Sequence, residues 1–247
     1  MIFVPSKLQH KSCQTGCMER FPERFTVLCW NVHKKNFGDT GFPSFVRSLM
    51  QRYPLSLVLL QEAQIEEDSC AFSAFSYDAA ANIEINRRFY GVLTASVKES
   101  SLAEVHLTKS SEGFVGPHKS LLLTTYALPG GEDLLLLNVH AINFRAQRIY
   151  EEELNVLMKK AAAHKGPMIV AGDFNAWSRK RADALHMLRE RLSLQTAVFE
   201  AGKVKSFMGY PLDFILYRGL HCIETEIMTD HGISDHHPLL ATFRLSP

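Results

Sequence analysis

Met168-Ile169-Val170-Ala171-Gly172-Asp173-Phe174-Asn175 is the stretch on which the reading of this chain turns. Its consecutive apolar residues predict a buried strand, and the strand stops at a carboxylate and an amide. A carboxylate beside a buried strand is costly unless it is paired or holds a cation. Asp173 alone could be no more than a turn former, and Asn31 alone no more than a strand terminator. The pattern recurs, however. The strand at 25–30 runs into Asn31, and the strand at 56–61 ends in Gln61-Glu62. The strand at 134–139 ends in Asn138-Val139-His140, and the strand at 213–217 opens on Asp213. The last strand, 239–243, is preceded by Ser234-Asp235-His236-His237-Pro238.

If these ends meet on one rim, it gathers several Asp, Asn and His side chains together with Glu62. Like charges at close range need a cation between them. Carboxylate and amide oxygens without Cys suit Mg²⁺ or Mn²⁺. Zinc prefers more His or Cys, and His231, His236 and His237 keep it in view. An imidazole exchanges a proton near neutral pH. Hydrolysis of a phosphoester needs a base for water, help for the leaving oxygen and positive charge against the phosphoryl oxygens. This inventory supplies all three, so a divalent-metal-dependent hydrolase of a phosphoester, in particular a phosphodiester, is expected.

Outward from these motifs, helical spacing predicts helices at 42–52, 66–75, 145–164 and 179–192. Further strands are expected at 89–96, 103–107, 120–127, 168–171 and 223–228, with a hairpin turn at Pro129-Gly130-Gly131. Most strands are apolar on both faces and so are covered on both sides. Their mixture with helices, without strict alternation, suggests sheets sandwiched between helices. Residues 1–24 read as an irregular N-terminal arm and 25–247 as one catalytic domain.

Composition narrows the partners. Lys+Arg number 27 against 26 Asp+Glu in 247 residues, so polyanion binding must come from a local patch. Five Cys without regular spacing argue against a disulfide framework, and Cys13 and Cys17 have no matching pair for a zinc site. No signal peptide is recognisable, and no apolar run approaches the ~20 residues of a membrane span. A soluble cytoplasmic monomer without stable membrane insertion is expected.

The ordered motifs Trp30-Asn31, Leu60-Gln61-Glu62, Asn138-Val139-His140, Gly172-Asp173-Phe174-Asn175, Leu212-Asp213-Phe214 and Ser234-Asp235-His236-His237-Pro238 resemble the endonuclease/exonuclease/phosphatase superfamily, which includes deoxyribonuclease I and the abasic-site endonucleases. Residues 59–64, 171–178, 211–214 and 217–220 look like the bacterial YafD-type subgroup. The resemblance implies an α+β fold, a four-layer α/β/β/α sandwich of two mixed β-sheets. It implies that Glu62, with Asn31, is the main metal ligand, and that Asp235 sits near the metal or near the catalytic imidazole. Asp173 and Asn175 would orient the attacking water and a phosphate oxygen. His236, oriented by Asp213, would act on the scissile phosphate, with His140 as second imidazole. In the deoxyribonuclease I branch a Glu ahead of a central strand orients that second His. Here the segment before Phe89 offers Glu84, Asn86, Arg87 and Arg88, and none aligns with that position.

Substrate contacts are expected from Ala176-Trp177-Ser178-Arg179-Lys180-Arg181, where Trp177 could stack on a base while Arg179 and its neighbours hold phosphates. The plainer reading is a helix start capped by Ser178. Lys34, Lys35 and Lys119 are further phosphate candidates. Nucleic acid is the leading substrate. A phospholipid or inositol phosphate is the alternative, though no exposed apolar hairpin for a membrane is evident from sequence. A phosphate-binding module without chemistry is the alternative from a different class.

Overall fold

The computed structural model describes residues 7–12, 17–38, 41–65, 74–111, 118–141, 143, 146–229 and 232–246. Two sheets form the centre. The first is ordered β1 (Lys7–Lys11), β4 (Ser76–Ile85), β5 (Arg88–Ser96), β3 (Leu55–Ile65), β2 (Arg24–Asn31), β15 (Leu239–Leu245), β14 (Leu220–Ile227). The second is ordered β10 (Gln195–Thr196), β13 (Asp213–Arg218), β9 (Met168–Asp173), β8 (Asp133–His140), β7 (His118–Ala127), β6 (Leu102–Ser111). A small hairpin, β11 (Ser206–Phe207) and β12 (Tyr210–Pro211), stands apart. Each large sheet contains one parallel pair, β2 with β3 and β8 with β9. Parallel neighbours need a crossover. Helix α1 (Phe42–Arg52) makes the first and α2 (Gln147–Ala161) the second, while α3 (Arg179–Arg191) follows β9.

Strand alternation assigns each side chain to a layer. Leu28, Trp30, Val58 and Leu60 face Phe42, Val46 and Leu49 of α1. Val27, Cys29, Leu57 and Leu59 face the opposite way and meet Leu134, Leu136, Ile169, Ala171 and Ile215 of the second sheet. Leu135, Leu137, Val139 and Val170 then pack on Tyr150, Leu154, Leu157, Leu185 and Leu188 of α2 and α3. The result is the α/β/β/α sandwich of two mixed sheets. Each fully buried aliphatic or Phe side chain contributes about 1.5–3 kcal/mol.

Two strands of the first sheet differ from the sequence expectation. The arm read as irregular contains β1, which pairs antiparallel with β4 and extends the first sheet. β4 itself was not expected, because Ala79-Ala80-Ala81 carries little strand signal. The strand runs close to β5: a Cβ on Gly91 would lie 1.8 Å from the Ala80 carbonyl oxygen. The helix expected at 66–75 lies at 66–73 outside the described residues. Cys29 and Cys222 are free thiols. No helix among the described residues is long and apolar enough to cross a membrane.

Candidate active site

The site forms where the columns of the inter-sheet core turn polar. Val27 and Cys29 are followed two residues on by Asn31, Leu57 and Leu59 by Gln61, and Ile169 and Ala171 by Asp173. Leu134 and Leu136 lead to Asn138 and then His140, and Asp213 precedes Ile215. Side chains two apart share a face, so the core columns deliver Asn31, His140, Asp173 and Asp213 to one rim, with Gln61 and Asn138 buried just beneath it. His140 is paired in register with Asp173, and Asp173 with Asp213, so three neighbouring strands place them at one level. Asn31 pairs in register with Gln61.

Glu62 departs from this parity. The β3–β5 register shifts between Leu60 and Ala63, and Glu62 adopts φ 50°. Such a bulge re-aims a side chain. It brings the half-buried Glu62 carboxylate to the rim, with Oε1 3.8 Å from His140 Nε2 and Oε2 2.6 Å from Lys34 Nζ. His140 Nε2 is also 3.8 Å from Asp173 Oδ2. On β9, a Cβ at residue 172 would lie 1.9 Å from the Val139 carbonyl oxygen and φ is 146°, so only Gly172 allows β8 and β9 to close ahead of Asp173. Asn175, at φ 49°, donates from its backbone N to Asp173 Oδ1 (3.0 Å) and from Nδ2 to the Ala141 carbonyl (3.1 Å). Asn31 Nδ2 donates to Asp173 Oδ2 at 3.1 Å.

His236 is fixed from several sides. Trp30 Nε1 donates to the His236 carbonyl at 2.9 Å. Ser234 Oγ donates to the Asn31 carbonyl (2.7 Å) and accepts from His236 N (3.2 Å), tying the loop before β15 to the end of β2. His236 Nδ1 lies 2.7 Å from Asp213 Oδ2. Burial disfavours the imidazolium, but the Asp213 carboxylate, by charge and hydrogen bond, outweighs it. With help from Asp173 and Asp235 it pushes the His236 pKa up to about 9. Asp173 is shifted upward too, first by burial and then by the charge of Asp213, against the pull of His236, Asn31 and the Asn175 N–H.

These residues fit a divalent cation. Asp213 Oδ1 is buried with no hydrogen-bond partner. Asp173, Asp213 and His236 each offer a ligand atom, all within 4.8 Å of one another. Glu62 and Asn31 add oxygen donors on the facing sheet. Oxygen donors in excess over Lys34 and His236 suit a hard cation.

Several expected residues lie elsewhere. Asn138 is not on the rim. It is buried between the sheets, donating to the carbonyls of Leu60 (3.2 Å) and Leu93 (2.9 Å) and accepting from Gln61 Nε2 (2.8 Å). It clasps the sheets together just behind the site. Asp235 is exposed and paired with Lys205 (3.0 Å) and His33 (3.4 Å). Ser178 caps α3 as expected, accepting from Arg181 N. Arg181 is no phosphate contact. It is buried between the rings of Tyr150 (4.4 Å) and Trp177 (4.6 Å) and donates to the Asn175 carbonyl. Cation–π contacts on both faces and that bond hold it where the helix dipole opposes it. Trp177 also donates from Nε1 to Asn143 and meets Phe207 edge-on at 6.2 Å. Arg179 is exposed, and the side chain of Lys119 lies outside the described residues. Sequence reasoning missed Asn36, which is buried and clamps Gln64 in both directions.

A family model described as the endonuclease/exonuclease/phosphatase family matches residues 28–236, which span every element of the rim. The chain belongs to this family. Solved structures of the same fold agree. An endonuclease/exonuclease/phosphatase from Beutenbergia cavernae has a TM-score of 0.72 at 15% identity, covering 90% of this chain and 72% of its own. A mannosyl-6-phosphatase from Bacteroides thetaiotaomicron has a TM-score of 0.65 at 15% identity, covering 89% and 99%. The human Nocturnin catalytic domain with bound sulfate has a TM-score of 0.63 at 14% identity, covering 98% of both chains. The family's members are hydrolases of phosphoric esters, and the rim supplies a matching acidic and imidazole cluster.

Proposed function

We propose that the chain is a Mg²⁺- or Mn²⁺-dependent phosphodiester hydrolase, with nucleic acid as the leading substrate. The observation that carries this reading is the Asp213–His236 pair, joined at 2.7 Å and held level with Asp173. Glu62 with Asn31 would hold the cation, whose Lewis acidity offsets charge on the phosphoryl group. His236, mostly protonated at neutral pH, donates to a phosphoryl oxygen and stabilises the charge that develops there. Asp213 orients the ring and supports the imidazolium. Asp173, whose upward shift brings it nearer the range of a working base, takes the proton of the attacking water, and Asn175 orients that water. His140, between Glu62 and Asp173, serves as second phosphate contact. Asp235 acts through His236 by raising its pKa rather than through the cation.

Around this centre, Trp177, Arg179 and Lys34 are the proposed substrate contacts, together with Lys119. We assign the chain to the YafD-type subgroup and read residues 25–247 as the catalytic unit, a cytoplasmic monomer. We read residues 1–24 as an arm, in which β1 adds an edge strand. The experiment is incubation of the full chain with single- and double-stranded DNA and RNA, with Mg²⁺, Mn²⁺ or chelator. Metal-dependent cleavage is expected, and no cleavage of any of them removes the nuclease reading.

One observation favours a second reading. Phe207 and Met208 are exposed at the tip of the β11–β12 hairpin beside Trp177. An apolar tip next to the site fits a phospholipid surface. Hydrolysis of phospholipid vesicles without cleavage of nucleic acid would select it. Tight retention of phosphodiesters with no turnover would select the non-catalytic binding module.

A further inference from the structure

The loop after β2 is zipped onto β3. Val32 N donates to the Gln61 carbonyl (3.0 Å) and Lys34 N to the Glu62 carbonyl (2.9 Å). Asn36 then grips the backbone of Gln64 with both ends of its amide, at 2.7 and 2.8 Å. Within this loop His33 and Lys34 are both left-handed, at φ 47° and 65°, opposite Glu62 at φ 50°. Side-chain-bearing residues keep such backbone only where their surroundings over-determine it, and these positions cluster at functional sites. The effect is to fold Lys34 back over the rim, its Nζ 2.6 Å from Glu62 Oε2, with side chains 34% and 22% exposed. An incidental surface pair needs none of this framework.

We propose that Lys34 is the resident counter-ion of Glu62: its ammonium sits on the carboxylate that the metal centre requires, so the Lys34–Glu62 contact and cation binding exclude one another. The inference rests on the metal-centre reading given above. Without a divalent cation, Lys34 offsets the negative charge that Glu62 adds to a rim already holding Asp173 and Asp213. When a cation takes Glu62, the ammonium is released beside the site, where a substrate phosphate is its next partner. A lysine suits this role because its charge sits on a flexible stem, whereas an arginine fork would grip the carboxylate through two bonds. The coupling is reciprocal: the Lys34 contact weakens the cation's hold by the same factor by which the bound cation weakens the contact.

Mn²⁺ titration followed by electron paramagnetic resonance, on the full chain without substrate, tests this. Lys34→Met should tighten Mn²⁺ binding about threefold to tenfold, the gain from removing one half-buried ionic competitor. Lys35→Met removes the same charge from the exposed neighbour, and screening should hold its effect within about twofold. Acetylation of Lys34 in the wild type, read by peptide mass spectrometry, should speed up when Mn²⁺ is added. Unchanged or weaker affinity in Lys34→Met, an equal gain in Lys35→Met, or Mn²⁺-independent acetylation would overturn the proposal. Glu62→Gln separates the two levels. If it binds Mn²⁺ as the wild type does, the assignment of Glu62 to the metal fails; if it binds weakly while Lys34→Met is unchanged, only the counter-ion idea fails.

Discussion

The two parallel strand pairs end on the same rim in different ways. β8 and β9 end flush, with His140 and Asp173 paired in register and both buried. β2 and β3 begin flush at Asn31 and Gln61, then β3 bulges and Glu62 swings into partial exposure under Lys34. The second sheet therefore holds groups whose positions are set by core packing and whose protonation is set by burial and by one another. The first sheet holds a carboxylate that can change partners. The difference separates preorganised chemistry from exchangeable binding, and it can be attacked from either side.

The largest effect is expected on the fixed side, to which His236, on the loop before β15, is joined by its bond to Asp213. His236→Ala should lower kcat on a phosphodiester by roughly 10³–10⁴, and Asp213→Asn by roughly 10²–10⁴, since the acid orients and supports the ring. The double variant should fall little further, because groups acting as a unit are not additive. Steady-state rates with matched melting curves check this, and additive losses would argue against a dyad. On the exchangeable side, Glu62→Gln should cost roughly 10²–10³ in rate with an unchanged melting temperature, part of it recovered by raising Mn²⁺.

Stability should show the same asymmetry. Gly172→Ala forces a Cβ into the Val139 carbonyl and should cost roughly 3–5 kcal/mol in urea unfolding. Lys34→Met should cost no more than about 1 kcal/mol. If the two variants unfold alike, the rigid-versus-exchangeable distinction is lost.

A smaller effect concerns pH. The folded protein holds the His236 proton up to about 9, against about 6.5 for an ordinary imidazole. Between those values the folded state binds more protons than the unfolded one, so stability falls as pH rises. The contribution is complete below about pH 6.5 and gone above about 9. Urea unfolding from pH 6 to 10, without divalent cations, should show this slope in the wild type, and Asp213→Asn should flatten it.

Much of this arrangement was legible in the sequence, for a definite reason. Catalytic groups that terminate core columns keep the period of the strand, so Asp173 after Ile169 and Ala171, or His140 after Leu134 and Leu136, stands out as a polar residue in phase with buried ones. The rest is local backbone or tertiary stacking. Nothing in Gln61-Glu62-Ala63 announces the bulge, so the distinct placement of Glu62 could not be read. Asn138 obeys the same parity as His140 yet lies one rung deeper, and sequence does not say where the polar mouth begins. Arg181 looks like one base among three until Tyr150 arrives from α2 to complete its sandwich. Ser234 and Asn36 act on backbone groups far away in sequence, and a loop serine or asparagine carries no sign of that. β4 was hidden because a run of alanines carries little strand signal.

The period-two delivery of the catalytic groups has a consequence for how such a protein can change. Inserting or deleting one residue within β8 or β9 would reverse every side chain beyond it and carry the reacting group to the wrong face. The strands therefore resist alteration in length, while the hairpin at 206–211 can be rebuilt without disturbing them. Inherited chemistry resides in the staves of the sandwich, and novelty in substrate choice has room only in the trim around its open end.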